Sequence, residues 1–458
     1  MRATAASDRR RGHEKRQPGR FLLILLLAVV ASTPLLAAEP AYRLQVVTDR
    51  EDAIYQAGET ARFLITVTHA DEPVSTGTVS YAVDDFVTES PPPNDYPQGQ
   101  LELGDKPPAV PVTSESPIFL RCVVRFQPPE GKPLTASAGA GFSPLEIGPS
   151  LPVPEDFDRF WADQKKQLAE VPLDAKLTPV EQSDATVECF DVQVACLGGA
   201  PVSGYLGMPK GAKPKSLPAI LWVHGAGVRS SVLASAVKGA QEGMLSMDIN
   251  AHGIPNGKPA EFYRDLAAGR LKNYRHDGRE SRETVYFRGM FLRLQRAIDF
   301  LTSRPEWDGN TLVVTGHSQG GGQSLAAGGL DGRVTMIAPG VPAICDHTGR
   351  AAGRINGWPK LVPLGPDGKP DPTILEASRY VDAVNFASRC RADAVMSVGL
   401  IDTVCPPSSC YAAYNLLQGR KEVINEPLMG HAAPPHIHDA FFQRILEHVK
   451  QRTGKKDK

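Results

Sequence analysis

The stretch Thr311-Leu-Val-Val-Thr-Gly-His-Ser-Gln-Gly-Gly-Gly322 decides the fold. Its first five residues are β-branched or apolar and read as a strand. Gly316-His-Ser-Gln-Gly320 follows at once as G-x-S-x-G, and the small residues from Gly321 to Ala327 suit the close-packed start of a helix. A sharp strand-to-helix turn strains the backbone of Ser318 and lifts its Oγ above a sheet. The flanking residues are glycine because a Cβ would clash at so tight a turn. The five-residue pattern says little alone, and the strand before it and the small residues after it give it meaning.

A serine hydroxyl is a poor nucleophile and needs a base, which in turn needs an orienting acid. In a strand–elbow–helix fold the chain order is Ser, then Asp, then His. Asp402 follows the strand-like run Ala394-Val-Met-Ser-Val-Gly-Leu400 and opens the loop Asp402-Thr-Val-Cys-Pro-Pro407, the place where an α/β sheet presents functional side chains. His431 comes later, in Met429-Gly-His-Ala432, after a second strand candidate at Lys421–Asn425. Ser318, Asp402 and His431 are therefore the expected catalytic residues. His436 and His438 compete as the base, and Asp331 and Asp346 as the acid. Asp331 better suits the end of the helix after Ser318. His317 is expected to be packed or to face substrate, and His347 to be a loop residue. The oxyanion needs preorganised donors. The backbone N–H of Gln319 supplies one, and Ala226 supplies the other from the loop His224-Gly-Ala-Gly227 after the strand Ala219–Val223.

Around this centre the pattern is α/β. Asp156 is placed to cap a helix carrying Phe157, Phe160, Trp161 and Leu168. A β-type run spans Val187–Ala195, and Met290, Leu294, Ile298 and Leu301 form one helical stripe. Strands alternating with helices imply a mainly parallel sheet covered on both faces. Before it, residues 39–146 look all-β. Tyr42–Thr48, Ala61–Thr68 and Ile118–Arg125 alternate with period two, which suggests an immunoglobulin-like β-sandwich. Pro149-Ser-Leu-Pro-Val-Pro154 reads as a semi-rigid linker, and residues 147–454 are the expected catalytic domain.

Residues 1–38 combine a basic region, an apolar run from Phe21 to Leu36 and Ala37-Ala38, the pattern of a signal peptide. Export to the periplasm or the medium, with no stable membrane insertion after cleavage, is the expectation; an uncleaved anchor is the alternative. Lys+Arg total 50 against Asp+Glu 51, a net charge of −1, which removes the electrostatic case for a nucleic-acid partner. Seven cysteines are an odd number. Cys189/Cys196 and Cys405/Cys410 are candidate short bridges, with buried free thiols as the other reading. No His/Cys grouping has zinc spacing, so neither metal nor cofactor is expected.

Four stretches carry a family resemblance: Pro154-Glu-Asp-Phe-Asp-Arg-Phe-Trp161, Gly316-His-Ser-Gln-Gly-Gly-Gly322, Leu330-Asp-Gly-Arg-Val334, and Gly399-Leu-Ile-Asp-Thr-Val-Cys-Pro-Pro407 with Ala412-Ala-Tyr-Asn415. With them, residues from about 147 to 450 resemble the acetyl xylan esterase and cephalosporin C deacetylase group, carbohydrate esterase family seven. The resemblance implies an α/β-hydrolase fold, a triad of Ser318, Asp402 and His431, and oxyanion amides at Ala226 and Gln319. Three places depart from that family. Met247-Asp-Ile-Asn-Ala-His-Gly253 replaces its Arg-Gly-Gln motif, His431-Ala432 its His-Glu, and Ala226 its tyrosine. The function expected is an exported serine esterase acting on acetylated sugars or xylan fragments through an acyl-enzyme. A general carboxylesterase or serine peptidase of the same fold is the alternative, and a non-catalytic carbohydrate-binding protein a second. A homo-oligomer is left open.

Overall fold

A computed structural model of the chain describes residues 42–86 and 96–454. The signal-peptide reading of residues 1–38, the prolines Pro91, Pro92 and Pro93, and the basic tail at 455–458 lie outside the described residues.

Alternating side chains build the first part. Strands β1 (Tyr42–Thr48), β2 (Ile54–Tyr55), β3 (Thr60–His69), β4 (Glu72–Pro73), β5 (Thr78–Asp84), β6 (Gln98–Glu102), β7 (Ala109–Thr113), β8 (Ile118–Phe126) and β9 (Leu134–Phe142) form two sheets. In one, β3 lies between β1 on one side and β4 with β7 on the other. The second runs β2-β9-β8-β5-β6. Every second residue of β3 (Ala61, Phe63, Ile65, Val67) is buried, and these meet Leu120, Val124 and Phe142 of the facing sheet in one apolar core. That is the expected sandwich.

The α/β part starts with α1 (Phe157–Ala169) and then weaves strands and helices: β10 (Lys176–Val180), β11 (Val187–Val194), β12 (Val202–Pro209), β13 (Leu217–Val223), α2 (Leu233–Gln241), β14 (Leu245–Ile249), α3 (Ala260–Ala268), α4 (Tyr286–Ser303), β15 (Trp307–His317), α5 (Gln319–Leu330), β16 (Met336–Gly340), α6 (Pro372–Ser378), α7 (Ala383–Ala387), β17 (Asp393–Gly399), α8 (Pro407–Tyr414), β18 (Lys421–Glu426) and α9 (Pro435–Thr453). The nine-stranded sheet has the order β10-β11-β12-β14-β13-β15-β16-β17-β18. Its first three pairings are antiparallel and the remaining five parallel. The sheet is mainly parallel, with helices packed against it, as the α/β-hydrolase expectation requires. Among the described residues, no helix is long and apolar enough to cross a membrane.

Asp156 does precede α1, but its side chain caps nothing. It accepts instead from Arg282 Nη1 at 2.8 Å and from the Tyr380 hydroxyl. A bonded guanidinium and a phenol outcompete a local N–H, which water can serve equally well at an exposed helix start. The proline-rich segment 149–154 is tied down along its length. Asp346 accepts from Ser150 N (2.9 Å) and Ser150 Oγ (2.7 Å), and Arg379 Nη2 donates to Pro152 O at 2.6 Å.

The sandwich also shares a core with the α/β part. Ala53, Phe86 and Phe119 belong to the same apolar cluster as Leu400, Cys405 and Tyr411. The Phe119 and Tyr411 rings lie 5.2 Å apart, and Asn415 Nδ2 donates to Pro144 O and Ile147 O, both at 2.9 Å. The N–H of Gly139 on β9 donates to Pro427 O at 2.9 Å.

Candidate active site

Strand β15 delivers Ser318 at φ 57° and ψ −121°, a region that L-residues avoid. The surroundings enforce it. A Cβ on Gly316 would stand 2.3 Å from Val223 O, and one on Gly320 2.4 Å from the same oxygen. Only glycine lets β13 and the elbow come this close, which is the reason given for both residues from sequence. Ser318 is half-buried and open to solvent on one side.

The three residues separated in the chain meet here. Ser318 Oγ lies 2.9 Å from His431 Nε2, and His431 Nδ1 lies 2.8 Å from Asp402 Oδ2. Asp402 is fully buried after β17, and its other oxygen accepts from Val404 N (2.8 Å) and Cys405 N (2.9 Å). Three N–H groups thus converge on one carboxylate. With Nδ1–H donated to Asp402, the tautomer leaves Nε2 as an acceptor facing the serine. Asp402, Cys405 and His431 also have ligand atoms within 4.8 Å of one another. Both ring nitrogens of His431 are already engaged, so this grouping is the hydrogen-bonded chain with a buried thiol beside it.

The competing residues lie elsewhere. His436 is exposed and bonded to Glu426 at 2.8 Å. His438 meets the edge of His317, and His317 stacks on Phe441 at 5.4 Å. Burial and the neighbouring imidazoles of His438 and His431 depress His317 to about 4, so it is neutral near pH 7. Asp331 ends α5 and is held by Arg333 and Gln295. Asp346 is spent on Ser150 and Arg354. His347 is wholly buried, and burial lowers it to about 3.

The loop after β13 is fastened at four points. Gln323 Nε2 donates to His224 O at 3.0 Å. Arg229 donates to Gly225 O (3.4 Å) and Ala226 O (3.0 Å). His252 Nε2 lies 3.2 Å from Gly227 O while its Nδ1 accepts from Tyr286 Oη at 2.7 Å. Burial holds His252 near 4, so it stays neutral in this bridging role. In a trans peptide the N–H points opposite to the carbonyl. With Gly225 O turned to Arg229, the Ala226 N–H faces away from the guanidinium. Gln319 opens α5, where an N–H has no helical acceptor. Its side chain is buried and accepts from Tyr274 Oη at 3.0 Å. Sequence reasoning missed Tyr274, His252 and Arg229. The segment Asn250-Ala-His-Gly253 was visible as a departure from the family, but nothing in it announced a contact with the loop at 225–229.

The model of the acetyl xylan esterase (AXE1) family matches residues 146–448. The chain belongs to that family. Acetyl xylan esterases are carboxylic ester hydrolases, and the relatives agree. The chain is 32% identical over 297 residues to an acetyl esterase, Axe7A, of Xylanibacter ruminicola; the match covers 64% of this chain and spans 66% of that relative's length. An acetyl xylan esterase from Paenibacillus sp. R4 superposes with a TM-score of 0.57 at 29% identity, covering 66% of this chain and 97% of its own. Acetyl Xylan Esterase 1 from Thermoanaerobacterium sp. JW/SL YS485 shares the fold at 24% identity and a TM-score of 0.52, over 67% and 97% of the two chains.

Of the two readings left open for the cysteines of this acetyl xylan esterase family member, bridges or buried free thiols, the second holds. All seven are free and buried, so neither the Cys189/Cys196 nor the Cys405/Cys410 bridge is formed. Cys189 sits on β11, and Cys196 lies just beyond that strand's end; Cys410 Sγ donates to carbonyls instead, Pro342 O at 3.7 Å and Cys405 O at 3.6 Å.

Proposed function

We propose that the chain is a serine esterase that removes acetyl groups from acylated sugars or xylan fragments, with Ser318 as nucleophile, His431 as general base and Asp402 as its orienting acid. The observation that carries this reading is the unbroken hydrogen-bond path Ser318 Oγ–His431–Asp402 at 2.9 and 2.8 Å on a strained, solvent-open elbow. Family membership supports the acetyl ester as substrate.

In this mechanism His431 Nε2 takes the Ser318 proton as Oγ attacks the acetyl carbonyl. The amides of Gln319 and Ala226 bind the oxyanion. The C–O bond to the sugar breaks, the sugar oxygen takes the proton from His431, and an acetyl-enzyme remains. Water then gives a proton to His431 and attacks the acetyl carbon. Acetate leaves as Ser318 recovers its proton. Asp402 stabilises the imidazolium in both halves without taking up a proton. The same reading divides the chain into a sandwich at 39–146 and a catalytic domain at 147–454, and assigns residues 1–38 to export.

Hydrolysis of p-nitrophenyl acetate and acetylated xylose by the wild type and by Ser318→Ala tests it. Loss of several orders of magnitude in kcat is expected. Equal rates, or no fluorophosphonate labelling of the folded wild type, would sink it.

A further inference from the structure

A cleft of about 360 Å³ opens beside the elbow, between α2 and α9, bordered by Gly225, Gly316 and His317. Its volume falls in the range of small-molecule sites. Its walls are aromatic: Trp222 and Phe442, with ring centroids 6.1 Å apart, and the exposed His438. Two cations overlook it, Arg229 from the loop and Lys238 from α2. Neither has a carboxylate partner among the described residues. Arg229 spends part of its fork on Gly225 O and Ala226 O, and Lys238 Nζ rests 3.9 Å over the Phe442 ring. Asp248 also borders the cleft, but it is already held by His224 Nε2 at 2.6 Å and Val232 N at 2.8 Å.

The cleft and the nucleophile are neighbours. The position a Cβ on Gly225 would take lies 3.7 Å from Arg229 Nη2 and 3.7 Å from Ser318 Cβ. Arg229 Nη2, with donors to spare, therefore stands no more than about 7.4 Å from Ser318 Cβ, across the Gly225 backbone. A planar fork of N–H groups matches a carboxylate bidentately, and flat aromatic side chains suit the apolar face of a pyranose.

We infer that this cleft binds a uronate unit beside the acetylated sugar, with Arg229 and Lys238 reading its carboxylate, so that the preferred substrate is an acetylated oligosaccharide carrying an acidic branch. The inference rests on the acetyl-ester reading above and adds the charge of the substrate to it. The site selects; it takes no part in bond making.

The test is the ratio of kcat/KM for an acetylated xylo-oligosaccharide with a glucuronate branch next to the acetyl group over that for the neutral acetylated oligosaccharide. The wild type should favour the charged substrate about tenfold or more, a preference that shrinks as salt rises. Arg229→Gln and Lys238→Gln should each lower the ratio severalfold, and Arg229→Lys should keep part of it. A loosened oxyanion loop in Arg229→Gln slows both substrates together and leaves the ratio alone. Lys238→Gln, which touches no backbone of that loop, is the second arm. A wild-type ratio near one overturns the inference, as does a ratio that survives both substitutions. Cleavage of p-nitrophenyl acetate with neither oligosaccharide cleaved overturns the sugar-ester reading itself. A sulfated branch bound as well as the glucuronate would show that charge alone is read, against the bidentate carboxylate proposed.

Discussion

Substituting Gly139 by alanine tests whether the sandwich holds the acid and base in place. A Cβ there would stand 2.2 Å from Leu400 O and 2.7 Å from Leu400 C and Cβ. Carbon contacts relax to about 3.5 Å, so the backbones must part by roughly 1 Å. Leu400 is two residues before Asp402. The Gly139 N–H bond to Pro427 O ties the same strand to the segment leading to His431. The two loops also lean on each other, since a Cβ on Gly399 would meet Met429 O at 2.4 Å. The retreat therefore moves the acid and base relative to a serine fixed on β15. Overpacking of this kind costs about 1–3 kcal/mol of stability, and a displacement of about 1 Å at a reacting group costs on the order of 100-fold in rate. Steady-state kinetics on p-nitrophenyl acetate, paired with thermal melts, reads both. Gly139→Ala should fold, melt a few degrees lower, and lose about 10- to 100-fold in kcat with KM changed little. Ser137→Ala, on the same strand two residues earlier, should do neither. A folded Gly139→Ala with wild-type kcat would refute the reasoning, because the close approach would then be packing without consequence for the triad.

Asp402→Asn should keep the fold and lower kcat by about 10⁴, because the amide favours the wrong His431 tautomer; a pH–rate profile and a melt check it. Tyr274→Phe leaves the buried Gln319 oxygen without its donor, so a loss of about 1–3 kcal/mol in denaturant unfolding is expected. His252 and His317 are depressed to about 4 and His347 to about 3, chiefly by burial. The unfolded chain binds those protons near 6.5 and the folded chain does not. Stability is therefore full above pH 6.5 and falls as pH drops toward 4. Asp382, pushed up by burial beside Asp346, works in the opposite sense, but it is one group against three histidines, and urea midpoints should still decline across that window. A thiol reagent should find none of the seven cysteines in native protein and all seven in denaturant.

The elbow was legible because its logic is local. A strand, two glycines and a serine must be adjacent in sequence to make that turn, and chain order then pointed to Asp402 and His431. The sandwich was legible for a similar reason, since Ala61, Phe63, Ile65 and Val67 announce a buried face by alternation alone. What stayed hidden depends on partners far along the chain. Gly139 looks like any strand glycine until Leu400 is laid against it, and no periodicity records that. Asp156 carries the composition of a cap, yet Arg282 and Tyr380, more than a hundred residues away, claim its carboxylate. The spacing of Cys405 and Cys410 suggested a bridge, but the helix turn between them aims Cys410 at carbonyls. Arg229 and Lys238 are ordinary surface cations in sequence; only the fold sets both over one aromatic cleft.

The contact between β9 and the ends of β17 and β18 also sets an order of events. The sandwich can gather its own core from residues made early, whereas the acid and the imidazole come from the last stretch of chain, more than two hundred and fifty residues after Gly139. Long-range pairings of this kind form late. On the proposed assignment of Ser318, Asp402 and His431, hydrolytic power then arrives as the final act of folding, when the closing loops find a surface already waiting for them, and an unfinished or clipped polypeptide would carry the nucleophile without the means to use it.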